Sequence, residues 1–313
     1  MNKILIFSFS FILLCFSTQA QDSLVNISYP TLNGTKVNGF SGMRSPFNNS
    51  QAYFQMGIGE SERFTTEGVP VGDSTIFNLR NALLYTSLSI GYQQKIKDWI
   101  SIYGRFNISA RLGTGVESII VQGVNTIEGA EFGVSFKLAE GKKFRLAGYT
   151  KLHRVEVEII NVREYIVDLI LGDPYAAVQK TVPAQNIGGG ILFGIAPFNF
   201  LSFSMDGSLS YGETVERHKT IWMYDIQGSL DLALKPLLNV PINLLFGAGS
   251  STMISIYTST GDYSLLTQAK IMYTGSDAFS IGLELFNAKS PISDDRHIRL
   301  QGGQFTCNFY FNK

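Results

Sequence analysis

Long apolar runs are scarce in this chain. Beyond the first twenty residues, no stretch approaches the roughly 18 apolar residues that a membrane-crossing helix needs, so a helical membrane protein is excluded. Cysteine is nearly absent as well. Of the two, Cys15 sits in the N-terminal apolar stretch and Cys307 is alone in the remainder, which excludes a disulfide-stapled secreted domain and any cysteine-rich metal spacing. Charge is sparse at 16% and balanced at 25 basic against 25 acidic residues, so no basic surface for nucleic acid is implied. With three histidines and no phosphate-binding glycine loop, the usual routes to catalysis are thinly supplied, and no cofactor is implied.

What is present begins with an export signal. Met1-Asn2-Lys3 gives a positive start, Ile4 to Phe16 an apolar stretch too short to span a bilayer, and Thr18-Gln19-Ala20 a small-residue cleavage site. Residues 1–20 are therefore expected to be removed, with Gln21 as the mature start. A lipoprotein reading would place Cys15 at the cleavage site, but Leu14 stands where a small residue is required. Loss of Lys3 leaves 24 basic residues against 25 acidic ones.

Residues 21–50 carry no sustained period and are rich in Asn, Ser, Gly and Pro, which predicts a periplasmic tail or an inward-folded plug. From there to the C-terminus, apolar residues recur at every second position. In Trp99 to Leu112, Ile100, Ile102, Phe106, Ile108, Ala110 and Leu112 fall on one face, while Ser101, Tyr103, Arg105, Asn107, Ser109 and Arg111 fall on the other. A tilted strand crosses a bilayer in about 9–11 residues, and this one is long enough. Strands are expected at 51–58, 80–93, 99–112, 129–139, 143–153, 185–196, 200–211, 220–234, 240–251, 263–274, 278–287 and 299–311. The total of about twelve is even, as bacterial barrels require.

The connections alternate in length. Short ones fall at 94–98, 140–142, 197–199, 235–239 and 275–277, and long ones at 60–78, 113–128, 154–184, 212–219, 252–262 and 288–298. Short turns face the periplasm and long loops face outward, which puts both ends of the barrel segment 51–313 on the periplasmic side. Trp99, Phe136, Phe144, Tyr273, Phe279, Phe309 and Phe311 gather at the turn end, and Tyr211, Trp222 and Tyr224 toward the loop end, as two aromatic girdles would. Within the longest loop, Val155, Ile159, Val162, Ile166 and Leu169 recur at helical spacing before Gly172 and Pro174, so an extracellular helix is preferred to a strand running on from residue 153. The fold class expected is all-β: an antiparallel transmembrane β-barrel of about 12 strands with a short helix in one extracellular loop.

Parity assigns the interior. The third to fifth strands point Arg105, Arg111, Lys137, Arg145, Lys151 and His153 inward, with Glu131 the single acid among them; the seventh and eighth point Asp206, Asp225 and Asp231 inward, and the eleventh Glu284. Separated basic and acidic walls would set a field across the lumen that selects solutes. Equally, these charges can pair with one another or with a plug and fill a closed interior. Ser202, Ser204, Ser208 and Ser210 form a small-residue inward face. His153, His218 and His297 fall near the outer rim, where a lipid hydrolase would place its base, but none sits in a His-x-Ser pair. Asp294 and Asp295 form an isolated acidic pair of the kind that is usually solvated.

The signal ending Gln19-Ala20-Gln21 and the aromatic last strand Phe305-Thr306-Cys307-Asn308-Phe309-Tyr310-Phe311 resemble those of bacterial outer-membrane β-barrel proteins, Bacteroidetes members in particular. Asn312-Lys313 departs from the usual terminal aromatic. The resemblance implies location in the cell outer membrane, contact with outer-membrane lipid, and recognition of the last strand by the barrel insertion machinery. It transfers no substrate, because fold does not give function. The function expected is a passive channel or facilitator for a small solute, and no enzyme. The alternatives are a closed structural or assembly barrel without transport and, less favoured, a surface lipid hydrolase.

Overall fold

The computed structural model describes residues 31–62, 64–65, 69–71, 74–76, 80–81, 83–112, 123–160, 162–171, 177–213, 220–252, 263–293 and 296–311. Its main feature is a closed barrel of twelve strands, each antiparallel to its neighbours in sequence. The strands are β1 (Ser50–Ser61), β2 (Leu84–Lys97), β3 (Ile100–Leu112), β4 (Gly123–Glu140), β5 (Phe144–Ile160) and β6 (Gln179–Phe198). The second half comprises β7 (Leu201–Glu213), β8 (Thr220–Ala233), β9 (Ile242–Ser251), β10 (Ser264–Tyr273), β11 (Phe279–Ser293) and β12 (Arg296–Phe311). Closure is made by β12 against β1, from Leu300 opposite Ser61 to Phe311 opposite Ser50, so no edge strand is left unpaired. No described helix is long and apolar enough to cross a membrane.

The burial pattern is the reverse of a water-soluble sandwich. Along β7, Ser202, Ser204, Asp206, Ser208 and Ser210 are buried, whereas Phe203, Met205, Leu209 and Tyr211 are exposed. The same inversion recurs around the ring, with Phe132, Leu152, Leu283 and Leu285 among the most exposed apolar side chains. An apolar exterior of this extent is stable against lipid and unstable against water, which is why the alternation fixes the solvent as well as the strand. Aromatic pairs mark both rims: Tyr273 and Phe279 lie 6.1 Å apart at the turn end, and Tyr211 and Trp222 lie 5.1 Å apart toward the loop end.

Several strands run further than their lipid-facing alternation indicates. β4 begins at Gly123, β5 continues to Ile160, β6 begins at Gln179 and β11 continues to Ser293, so hairpins extend beyond the apolar band. Most of the loop expected at 288–298 is accordingly strand, since β11 runs to Ser293 and β12 begins at Arg296. The helix expected from Val155 also needs correction. Residues 155–160 remain strand, paired to Gly123 through Gly129 on one side and to Gln179 through Ala184 on the other. Helix α1 occupies only Val162–Leu171. Outward-pointing Glu156 and Glu158 are tolerated in this strand because both are partnered: Glu156 pairs with Arg154 at 2.5 Å, and Glu158 accepts from Asn125 Nδ2 at 2.8 Å. A one-turn helix, α2 (Lys235–Leu238), forms the β8–β9 turn and ends at Asn239 in the left-handed conformation.

Candidate functional site

The interior of the ring holds a stretch of its own chain. Residues 31–49 begin with a two-residue hairpin, Thr31–Leu32 against Thr35–Lys36, turned by Asn33 (φ 50) and Gly34 (φ 80). Both turn residues are left-handed, the conformation that an Asn-Gly dipeptide adopts at little cost. The hairpin sits across the turn end of the barrel. The Asn33 backbone N–H donates to Lys142 O (3.0 Å), and Lys36 Nζ donates to Thr274 O and Ser276 O while pairing with Asp277. Leu32, Val37 and Phe47 pack with Ala196, and Phe40 packs with Leu245 and Met272, in two small apolar clusters.

Between those clusters, polar groups of the wall take up the polar groups of the segment. Asn38 donates through both its backbone and its side chain to Asp231, and Ser41 likewise to Glu284. Arg105 donates to Gly42 O (2.8 Å), Arg145 to Pro46 O (3.0 Å), Gln93 to Phe47 O and Asn49 O, and Ser135 Oγ to Asn48 Oδ1. An unpaired buried main-chain group costs free energy comparable to a lost hydrogen bond, so this matching is what lets irregular backbone lie inside a barrel.

At the centre is Arg44. Its Nε and Nη2 reach the Glu131 carboxylate at 2.6–3.0 Å, and its Nη1 reaches both Asp206 Oδ2 and Tyr149 Oη at 3.0 Å. The guanidinium carbon lies 4.5 Å from the Tyr149 ring centroid and 5.8 Å from that of Tyr103. Tyr149 Oη in turn donates to Asp206 Oδ1 (2.8 Å), and Arg105 pairs with Glu131 from the other side (3.1 Å). The tyrosines are seated by glycines directly opposite on the next strand: Tyr53 opposite Gly91, Tyr103 opposite Gly133 and Tyr149 opposite Gly190. A Cβ at Gly91 would meet the Tyr53 ring at 2.1 Å, so the ring lies where only glycine leaves room.

Parity places all ten selected residues on the inward side of their strands, but they do not form two opposed walls of free charge. Arg105, Glu131 and Asp206 meet around Arg44. Lys151 donates to Ser208 Oγ (3.0 Å), one layer nearer the loops, where Asn186 lies 3.4 Å from the His153 ring nitrogen. Arg111 is buried near the loop end of β3. Lys137 and Arg145 share Glu140 at the turn end. Asp225 has Gln227 at 3.4–3.5 Å, Asp231 accepts from Asn243 as well as Asn38, and Glu284 accepts from Gln268 and Gln304 with Lys270 at 3.6 Å. Arg44 and Lys270 are absent from the sequence-based selection. Lys270 is legible by parity on β10; Arg44 lies in an aperiodic stretch and has no such signal. A residual cavity of about 100 Å³ adjoins Arg44, Tyr53, Tyr103, Arg105 and Glu131, room for about three waters at the volume each takes in liquid.

Among the described residues no group of three or more His, Cys, Asp or Glu is placed to hold a metal. His218, Asp294 and Asp295 lie outside the described residues.

A closed ring with a lipid-compatible exterior and a polar, charge-bearing interior defines a β-barrel protein of the bacterial outer membrane. Solved structures of similar architecture include the translocator domain of the autotransporter NalP from Neisseria meningitidis, at 12% identity and a TM-score of 0.48 over 84% of this chain and 88% of that one. A FadL homologue from Pseudomonas aeruginosa is similar at 7% identity and a TM-score of 0.47, over 84% and 91% of the two chains. The KdgM porin in complex with disordered oligogalacturonate is similar at 10% identity and a TM-score of 0.41, over 83% and 99%. No family model and no curated protein sequence matches this chain.

Proposed function

We propose that this protein is a passive outer-membrane channel or facilitator for a small polar solute, with residues 31–49 acting as a plug that closes the lumen in the state described. The observation that carries the reading is the way the segment is held. It contributes no strand to the ring, and side chains of the wall bind it group by group. A ring near eight strands is filled by its own side chains, whereas one near sixteen holds an aqueous channel; at twelve the gap left by side chains is wide enough for a length of main chain. Withdrawal of that length leaves a polar, water-compatible path without breaking a strand pairing. In this reading residues 1–20 are removed on export, the aromatic last strand is recognised by the insertion machinery as in the Bacteroidetes barrels it resembles, and no residue is assigned a catalytic role.

A closed structural barrel is the competing reading, favoured by the pairing of the interior charges and by the small residual cavity. Single-channel recording in planar bilayers separates the two. The intact protein is expected to be closed or to open rarely, and a form lacking residues 22–48 to conduct steadily. A deletion protein that retains the heat-modifiable mobility of a folded barrel yet never conducts would overturn the channel reading.

A further inference from the structure

Arg44 is bound as a ligand would be bound. Its partners Tyr103, Glu131, Tyr149 and Asp206 stand on β3, β4, β5 and β7, so the whole receptor belongs to the wall and none of it to the segment that carries Arg44. We propose that these four residues form a guanidinium-binding site of the barrel, filled in cis by Arg44, and that a small solute bearing a guanidinium group is the class of ligand that takes the site when the segment is displaced. This rests on the plug reading above and names the chemistry of the solute.

Three features of the site support it. First, the shape selects a planar fork. Nε and Nη2 engage one carboxylate while Nη1 engages a second carboxylate and a phenol, and an aromatic face lies 4.5 Å from the guanidinium carbon. A compact ammonium has three donors on one atom and cannot span both carboxylates while covering the ring. Second, the receptor groups are also held by contacts that do not involve the occupant. The Tyr149 hydroxyl is hydrogen-bonded to Asp206, its ring sits opposite Gly190, and Arg105 holds Glu131 from the far side. Third, the site needs a cation. Among the described residues Arg44 is the only ion-pair partner of Asp206, whose side chain is 3% exposed. Removing Arg44 deprives that buried carboxylate of its direct ion-pair partner, a state that favours entry of another cation. A cavity of about 100 Å³ adjoins the site, lined by Arg44, Glu131 and Tyr103.

The test uses the full chain carrying Arg44→Ala, with agmatine as the guanidinium probe and cadaverine as the diamine that replaces guanidinium by ammonium. Calorimetric titration of the purified barrel is expected to show agmatine binding to R44A, with binding to the wild-type protein weaker by about tenfold or more because Arg44 competes. Cadaverine is expected to bind R44A about tenfold more weakly than agmatine, and the additional change Asp206→Ala to weaken agmatine by about tenfold. A folded R44A barrel that ignores agmatine, or binds cadaverine as well, overturns the proposal. If R44A does not assemble, refolding is carried out with each amine: recovery with agmatine alone supports the site, and recovery with both or neither overturns it. Conductance of the same variant keeps the two readings apart. Binding without conduction would sink the channel and leave the site standing, whereas conduction without binding would do the reverse.

Discussion

Glu131 is the residue whose loss should be felt most. Its side chain is 2% exposed and accepts three hydrogen bonds from Arg44 and one from Arg105. Charge-assisted bonds at about 1.5–3 kcal/mol each would sum to about 6–12 kcal/mol if they were independent. They are not independent. After Glu131→Ala, Arg44 keeps Asp206 and Tyr149, Arg105 keeps Gly42 O, and water can enter from the neighbouring cavity. The relevant figure is therefore that for removing one partner of a buried pair, about 3–5 kcal/mol. Arg44→Ala should cost less, about 2–3 kcal/mol, because Glu131 retains Arg105 and Asp206 retains the Tyr149 hydroxyl. In the double variant the Glu131–Arg44 interaction is counted once, so its cost should fall short of the sum of the singles by about 1–3 kcal/mol. Urea unfolding of the barrel refolded into lipid vesicles measures all three. The two tryptophans, Trp99 in the β2–β3 turn and Trp222 on β8, are both exposed and report on loss of the lipid-embedded state. Additivity within about 0.5 kcal/mol, or a Glu131→Ala cost below about 1 kcal/mol, would show that Arg44 is not bound as described.

Two further outcomes test the wall itself. At one depth on adjacent strands, Leu285→Arg, facing lipid, should cost about 2–4 kcal/mol and lower the assembled fraction, whereas Gln268→Arg, facing inward beside Glu284, should assemble normally; equal assembly of the two would refute the register. Gly91→Ala should destabilise by about 1–3 kcal/mol, because its Cβ would overlap the Tyr53 ring, while Gly207→Ala, with open space around its Cβ, should be neutral in the same unfolding assay; a neutral Gly91→Ala would mean that the ring is not seated there.

Much of the wall was legible because a strand writes its environment locally. Alternation at every second residue names the strand, and the identity of the apolar face against the polar one names the solvents on its two sides. That is why twelve strands in chain order follow from period and parity alone. The same signal fades where a strand leaves the lipid. Above the apolar band the alternation of β5 inverts, with Val155, Val157 and Ile159 on the inward face and Glu156 and Glu158 on the outward one; the lipid-facing pattern stops there, and a helical spacing across the same residues outweighed the inverted one.

The interior was decided by tertiary structure. Residues 31–49 have no sustained period because much of their backbone is satisfied by the wall instead of by its own neighbours, and Arg44 finds Glu131 and Asp206 at separations of 87 and 162 residues. Nothing local distinguishes an arginine that binds two distant carboxylates from one that is solvated. Parity tells which way a charge points; whether it meets water, an opposite charge or the chain's own N-terminal segment depends on what closing the ring brings together. The sequence by itself determined a barrel with a polar interior, and only its closure around residues 31–49 determined that the interior charges are engaged.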